Sequence, residues 1–170
     1  MTVSDHIVAA QLALSQAQYE LDQEHHAPWY NTALGEVGVA ELPGEKHSER
    51  VLEYLATCHR KRGGNLGTWA AGRDETAWCS AFVNWCLQRA GVKGTRHAAA
   101  RSYTAWGRET IPRKGAIVVL KRDGGGHVGF LDRREGDQLY IIGGNQTNRV
   151  SVAAYPDSRL LDYRWPTGVR

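Results

Sequence analysis

The chain has 170 residues, a hydrophobic fraction of 42%, and 21 Lys and Arg against 18 Asp and Glu, which gives a formal net charge of +3. These values indicate one globular domain with a core of its own and exclude a disordered chain. The charges are scattered along the chain, so no nucleic-acid-binding surface is predicted. No apolar run reaches the length of a membrane span.

The cysteine pattern and the first residues bear on where the protein is made. Cys58, Cys79 and Cys86 are an odd number with no C-x-x-C pair, so neither a disulfide framework nor a zinc site is expected. Residues 1–6 lack a basic segment followed by an apolar one, so we expect synthesis in the cytoplasm without a signal peptide.

Helical patterns occupy the first part of the chain. Residues 1–27 are predicted to be an N-terminal helical extension, which either packs on the body or forms a mobile arm, and residues 28–170 to be a single domain. A glycine-rich polar loop is expected at 61–78, and loops of this length are often functional. Helices are predicted at 4–24, 28–37, 48–59, 79–91 and 98–106.

After Pro112 the pattern becomes extended, with turn residues between short apolar runs. Helices followed by a run of strands predict an α+β fold, in which the helix that begins at Cys79 packs on a C-terminal antiparallel sheet of about five strands. The strands are predicted at 116–121, 127–132, 138–142, 149–153 and 161–164.

Cys79 lies where a helix is predicted to begin. The positive end of the helix dipole would lower the pKa of its thiol and favour the nucleophilic thiolate. Capping groups are expected from residues 74–76, and a backbone N–H for an oxyanion from Ser80. Alternatively, Cys79 is a small hydrophobe, because positions 79, 82, 83, 86 and 90 share one helical face.

Two polar residues on the strands could complete a site with this thiol. His127 begins an apolar strand directly after three glycines, and its imidazole could act as a general base. Asn145 ends the next strand, where its amide could orient the imidazole. The alternatives are a strand-end histidine in a polar loop and an ordinary turn asparagine.

Four sequence blocks resemble the papain-like superfamily of CHAP and NlpC-type peptidoglycan hydrolases, in its bacterial and phage branch. A fifth segment, 159–166, resembles the terminal strand of the family, and the resemblance covers roughly residues 28–166. The blocks are ETAWCSAFVNWCL at 75–87, ARSYTAWG at 100–107, GHVGF at 126–130 and GGNQ at 143–146.

The resemblance implies a papain-like fold and a Cys-His-Asn mechanism. Cys79 would be the nucleophile, His127 the base and Asn145 the orienting residue, with the oxyanion bound by the backbone N–H of Cys79 or Ser80. The implied reaction is cleavage of an amide bond in the murein stem peptide, by an endopeptidase in preference to an N-acetylmuramoyl-L-alanine amidase. No metal or cofactor is required. The predicted oxyanion and substrate-binding residues are Ser80, Trp78, Arg101 and Gln146.

Peptidoglycan is therefore the expected partner, reached in the periplasm or cell wall after lysis or injection. An endolysin and an antibacterial toxin or effector both fit, and the toxin alternative adds an immunity protein or a secretion-machine component as a partner. The competing interpretation is a non-catalytic module of the same fold that binds wall peptides or a partner protein. Selective alkylation of Cys79 would favour the enzyme.

Overall fold

The computed structural model describes residues 2–25 and 27–169, and the burial of side chains within 2–17 and 27–169. Met1 and His26 of the predicted extension, and Arg170 of the predicted domain, lie outside the described residues. The division of the chain at residue 27 stays a prediction. The helices are α1 (Val3–His25), α2 (Pro28–Gly35), α3 (Glu49–Ala56), α4 (Thr68–Ala71) and α5 (Cys79–Arg89), with 3₁₀ helices at Arg60–Arg62, Ala100–Ala105 and Asp157–Arg159.

The helix predictions are confirmed, with shorter bounds for α2, α3 and α5 and with one further residue at each end of α1. Pro28 is at the start of α2, where its missing N–H costs nothing. The predicted loop before α5 contains the short helix α4 and one 3₁₀ turn, and the helix predicted at 98–106 is a 3₁₀ helix. Helices of four residues carry too little periodicity to be recognised from their sequence.

Six antiparallel strands form one sheet in the order β1-β6-β2-β3-β4-β5. This arrangement confirms the α+β prediction and adds the two-residue strand β1, which pairs with β6. A strand of two residues has no detectable alternation, so it was not predicted. The strands are β1 (Arg108–Glu109), β2 (Ile117–Arg122), β3 (Gly125–Glu135), β4 (Gln138–Gly143), β5 (Ser151–Pro156) and β6 (Leu160–Trp165).

Helix α5 lies at the centre of the core. Its first nine residues, 79–87, are all buried, and it contacts α2, α3, β3 and β4. The Tyr54 ring of α3 contacts the rings of Trp78, Phe82 and Trp85 at centroid distances of 5.6, 5.3 and 5.2 Å. A helix covered on all sides cannot shift, so the position of its first residue, Cys79, is set by core packing.

Helix α1 differs from the rest because the side chains of residues 2–17 are all exposed. Its apolar residues Val3, Ile7, Leu12 and Leu14 are between 55% and 78% exposed. Among the described residues, no helix has both the length and the apolar character needed to cross a membrane.

Candidate active site

Cys79 and His127 line the same cavity, of about 340 Å³, at the N-terminal end of α5. Cys79 comes from the first position of α5, and His127 comes from β3, where it pairs with Leu120 of β2. Asn145, after β4, lines the same cavity, and so does Arg101. The structure thus brings together a thiol and an imidazole that are 48 residues apart in the sequence.

The Cys79 side chain lines this cavity but is largely buried. Cys79 is 8% exposed, whereas Cys58 and Cys86 are fully buried. Burial raises the pKa of the Cys79 thiol, while hydrogen bonding by the backbone of Val128 and Ser80 and the charge of Arg122 act in the opposite direction. The predicted lowering of this pKa is wrong, because desolvation of the thiolate outweighs the field of the helix terminus.

The His127 imidazole is held neutral by its surroundings. Burial lowers the pKa of His127 to about 4; the hydrogen bond to Gln146 acts to raise it, and the cations Arg122 and Arg159 lower it further. With the thiol pKa raised and the imidazole pKa lowered, the resting pair is a neutral thiol and a neutral imidazole. A neutral imidazole has one ring nitrogen with a free lone pair, which can accept a proton.

Gln146, not Asn145, contacts the imidazole. The distance from His127 Nε2 to Gln146 Oε1 is 3.0 Å. The Gln146 amide nitrogen donates to the Ser151 carbonyl at 2.6 Å, which fixes which end of the amide faces His127. Because an amide oxygen only accepts, Nε2 of His127 carries the hydrogen. Nδ1 is then the basic nitrogen.

Tyr155 of β5 completes this network. Its hydroxyl donates to Gln146 Oε1 at 3.1 Å, and its ring lies 5.3 Å from the His127 ring. Tyr155 was missed by the sequence analysis. In the structure, intermediate and exposed residues alternate along β5. This pattern does not single out Tyr155 as the residue that approaches the site.

The backbone at the end of β4 explains why Gln146 reaches His127. A Cβ at Gly143 would lie 2.7 Å from Gln146 Oε1 and 3.1 Å from His127 Nε2, so only glycine leaves room for their bond. Asn145 has a left-handed backbone with φ of 57°. This conformation, which asparagine tolerates, turns the chain so that the following side chain packs under the strand.

The orienting role of Asn145 stays a prediction, since the contact that it would require is made by Gln146. No hydrogen bond between described residues joins Asn145 to His127. Gln146, predicted to bind substrate, is only 6% exposed and is the side chain that contacts His127. The sequence block GGNQ therefore predicted the residue that contacts His127 to within one position. The left-handed turn at Asn145 decided which of the two amides faces inward.

Two predicted substrate-binding side chains belong to the core. Trp78 is fully buried and donates from Nε1 to Glu41 Oε1 at 2.7 Å. Ser80 is also fully buried, and its hydroxyl donates to the His97 carbonyl at 2.6 Å. Neither side chain lines the cavity with Cys79. Both face protein because α5 is surrounded by protein on all sides.

In the segment before α5, Asp74 forms hydrogen bonds with the loop between Leu42 and Ser48 and does not cap the helix. The fully buried Asp74 accepts from the backbone N–H groups of Leu42 and Ser48 at 3.0 and 2.8 Å, and lies 2.9 Å from His47 Nδ1. No side chain caps α5, so the expectation that residues 74–76 cap it is wrong. His47, Asp74 and Glu75 present potential metal-ligand atoms within 4.8 Å of one another, but the Asp74 oxygens already have protein partners.

Comparison with known families gives a match over the region of the chain that contains Cys79, His127 and Asn145. Residues 69–145 match the family model of the CHAP domain. This match is consistent with the CHAP/NlpC-type family of peptidoglycan hydrolases and with a papain-like fold. CHAP domains are typically cysteine- and histidine-dependent amidohydrolases or peptidases, and the family indicates peptidoglycan hydrolase activity in general. No curated protein matches the chain.

Proposed function

We propose that the chain is a cysteine hydrolase that cleaves an amide bond in the murein stem peptide, as an endopeptidase in preference to an amidase. The observation that carries this proposal is the shared cavity of Cys79 and His127, together with the bond from His127 to Gln146. A non-catalytic binding module has no need for a thiol and a tautomer-fixed imidazole at the same opening.

In the first half of the proposed reaction, Cys79 attacks the scissile carbonyl carbon. Its thiol proton passes to Nδ1 of His127 as the sulfur–carbon bond forms, and the carbonyl oxygen becomes an oxyanion. The backbone N–H of Cys79, unpaired within the helix at its first position, would bind this oxyanion. The carbon–nitrogen bond then breaks, and the leaving amine takes the proton from Nδ1.

In the second half, water hydrolyses the thioester. His127 Nδ1 accepts a proton from the attacking water, the carbon–sulfur bond breaks, and the proton returns to the Cys79 sulfur. Gln146 keeps the hydrogen of the imidazole on Nε2 throughout, so it is proposed as a positioning residue in place of Asn145. No step uses a metal or a cofactor.

The direct test is digestion of purified Gram-negative sacculi by the wild type and by Cys79→Ser, with the released fragments identified by mass spectrometry. Muropeptides trimmed within the stem by the wild type alone would support an endopeptidase, and free stem peptides an amidase. The matched control is Cys58→Ser, since this cysteine is buried away from the cavity. No release by any of the three would favour the binding module.

Thiol reactivity provides a second test that does not require the substrate. A small alkylating agent at neutral pH should modify Cys79 and spare Cys58 and Cys86, which are fully buried. Modification should be slower than for an activated thiolate because burial raises the pKa of the Cys79 thiol. Equal modification of all three cysteines in the folded protein would contradict the proposed site.

We also propose that the enzyme acts in the periplasm or cell wall, since its substrate is found there. Export of the chain to the periplasm of a Gram-negative host should cause lysis that depends on Cys79, whereas the same chain retained in the cytoplasm should not. Lysis by exported Cys79→Ser would argue against hydrolysis as its cause.

A further inference from the structure

Basic side chains gather at one end of the active-site cavity. Arg101 and Arg122 line the cavity that contains Cys79 and His127. Both also line an adjoining cavity of about 680 Å³, together with Lys121, Asp123 and Arg159. The cations come from the 3₁₀ helix at Ala100–Ala105, from the end of β2 and from the 3₁₀ helix at Asp157–Arg159. We call Arg101, Lys121, Arg122 and Arg159 the basic cluster.

The basic cluster differs from Arg133, Arg134 and Arg164 of the sheet, each of which has a carboxylate partner. Arg133 pairs with Asp132 and Glu135 at 2.8 and 2.6 Å. Over residues 2–25 and 27–169, no ion pair includes a member of the basic cluster. The carboxylate of Asp123 is the one acidic group lining the adjoining cavity. Four positive charges therefore face one negative charge beside the catalytic pair.

Two of the guanidinium groups are held in place by their inner nitrogens. Arg101 Nε donates to the Gly125 carbonyl at 3.0 Å, and Arg159 Nε donates to the Lys121 carbonyl at 3.1 Å. The Arg159 guanidinium also lies 5.1 Å from the Tyr155 ring. Within the described part of the chain, the outer nitrogens of both groups have no hydrogen-bond acceptor. They remain available to a ligand, and little side-chain entropy is left to lose on binding.

We propose that the basic cluster is a carboxylate-binding subsite that selects substrates with a free carboxylate beside the scissile bond. Guanidinium groups bind carboxylates through paired charge-assisted hydrogen bonds, which fix orientation as well as charge. This inference rests on the proposed hydrolase function, because the stem peptide of murein carries free carboxylates. It adds Lys121, Arg122 and Arg159 to Arg101 as specificity-determining residues.

The test compares two synthetic stem peptides that differ only in charge, one with free carboxylates and one with the same groups as carboxamides. The wild type should cleave the acidic peptide with a kcat/KM about 10-fold or more above that of the amidated peptide, chiefly through KM. Arg122→Gln and Arg159→Gln should each lose most of this preference, because kcat/KM should fall much further on the acidic peptide than on the amidated one. A smaller change on the amidated peptide is expected, since both cations also lower the pKa of His127. Arg60→Gln is the matched control, since Arg60 is exposed and lines neither cavity.

Equal cleavage of both peptides by the wild type would overturn the inference and leave the proposed hydrolase intact. Equal losses on both peptides in Arg122→Gln and Arg159→Gln would also overturn it, since that pattern indicates damage to the fold or to catalysis. Calorimetric binding to Cys79→Ala separates the two proposals if no cleavage is seen. Tighter binding of the acidic peptide would support the subsite without the hydrolase, and equal binding would overturn the subsite.

Discussion

His47 and His127 are each hydrogen-bonded to a side-chain oxygen, and their surroundings differ. His47 lies 2.9 Å from Asp74, whose second oxygen accepts from two backbone N–H groups. His127 lies 3.0 Å from Gln146, and its second nitrogen has no described protein partner. The first network uses its polar atoms to brace a loop. The second leaves one basic nitrogen beside a cavity that it shares with a thiol.

The comparison shows that a histidine bonded to a polar side chain does not identify a catalytic site. Two features distinguish His127: a thiol that lines the same cavity and a pKa lowered to about 4, chiefly by burial. Burial keeps the imidazole of His127 uncharged, and the hydrogen bond to Gln146 acts in the opposite direction. Four predictions follow from this difference, beginning with the largest effect.

Replacing Cys79 by alanine should reduce the release of fragments from sacculi by about 10³-fold or more, because the covalent step is lost. The free energy of unfolding should change little, since one small buried side chain replaces another. Fragment release is measured by chromatography and unfolding by denaturant titration. Substantial turnover by folded Cys79→Ala would show that another group is the nucleophile.

Replacing Gln146 by alanine should lower kcat by about 10²-fold, because the imidazole loses the group that fixes its tautomer. Asn145→Ala is the matched control and should lose less than about 10-fold. Gln146→Glu should move the acidic limit of the pH–rate profile upward, since a carboxylate favours protonated His127. If Asn145→Ala were the more damaging variant, the original Cys-His-Asn prediction would be restored.

Acid should destabilise the fold through His127. Because its pKa falls from 6.5 to about 4 on folding, the unfolded chain binds a proton in this window that the folded chain does not. The free energy of unfolding should therefore decrease by about 3 kcal/mol as the pH is lowered from 6.5 to 4. Urea titrations of the wild type at several pH values in this range should show this decrease in the free energy of unfolding.

The matched variant for this measurement is His127→Gln, in which the contribution from residue 127 should disappear. An unchanged pH slope in His127→Gln would assign the acid sensitivity to other groups. In the same pH range, the acidic limit of kcat/KM for the wild type should lie near the pKa of about 4 rather than near 6.5.

Replacing Asp74 by alanine should lower the free energy of unfolding. The pH–rate profile of the enzyme that remains folded should be unchanged. Each buried N–H left without an acceptor costs about 1–3 kcal/mol, and the backbone N–H groups of Leu42 and Ser48 both lose theirs. Thermal unfolding measures the loss. A shift in the acidic limit of kcat/KM would show that the His47 network is coupled to the site.

The elements that carry the site were largely predictable from sequence, and the pairings within it were not. Cys79 at a helix start and His127 after three glycines are local patterns, so the sequence alone points to both. Which of the two neighbouring amides contacts His127 depends on the left-handed backbone of Asn145, where φ is 57°. Asparagine and glutamine both carry an amide, so composition does not tell which of them turns inward.

The sequence by itself determined the class of fold, the order of helices and strands, and the two groups most suited to thiol chemistry. It could do so because periodicity and turn residues act over a few residues. Only the tertiary structure decided that Trp78 and Ser80 are core and that Gln146 and Tyr155 surround His127. It also decided the pKa directions of Cys79 and His127, since desolvation depends on what long-range packing places around a group. The clustering of Arg101, Lys121, Arg122 and Arg159 has the same origin, because residues up to 58 positions apart meet only when the sheet forms.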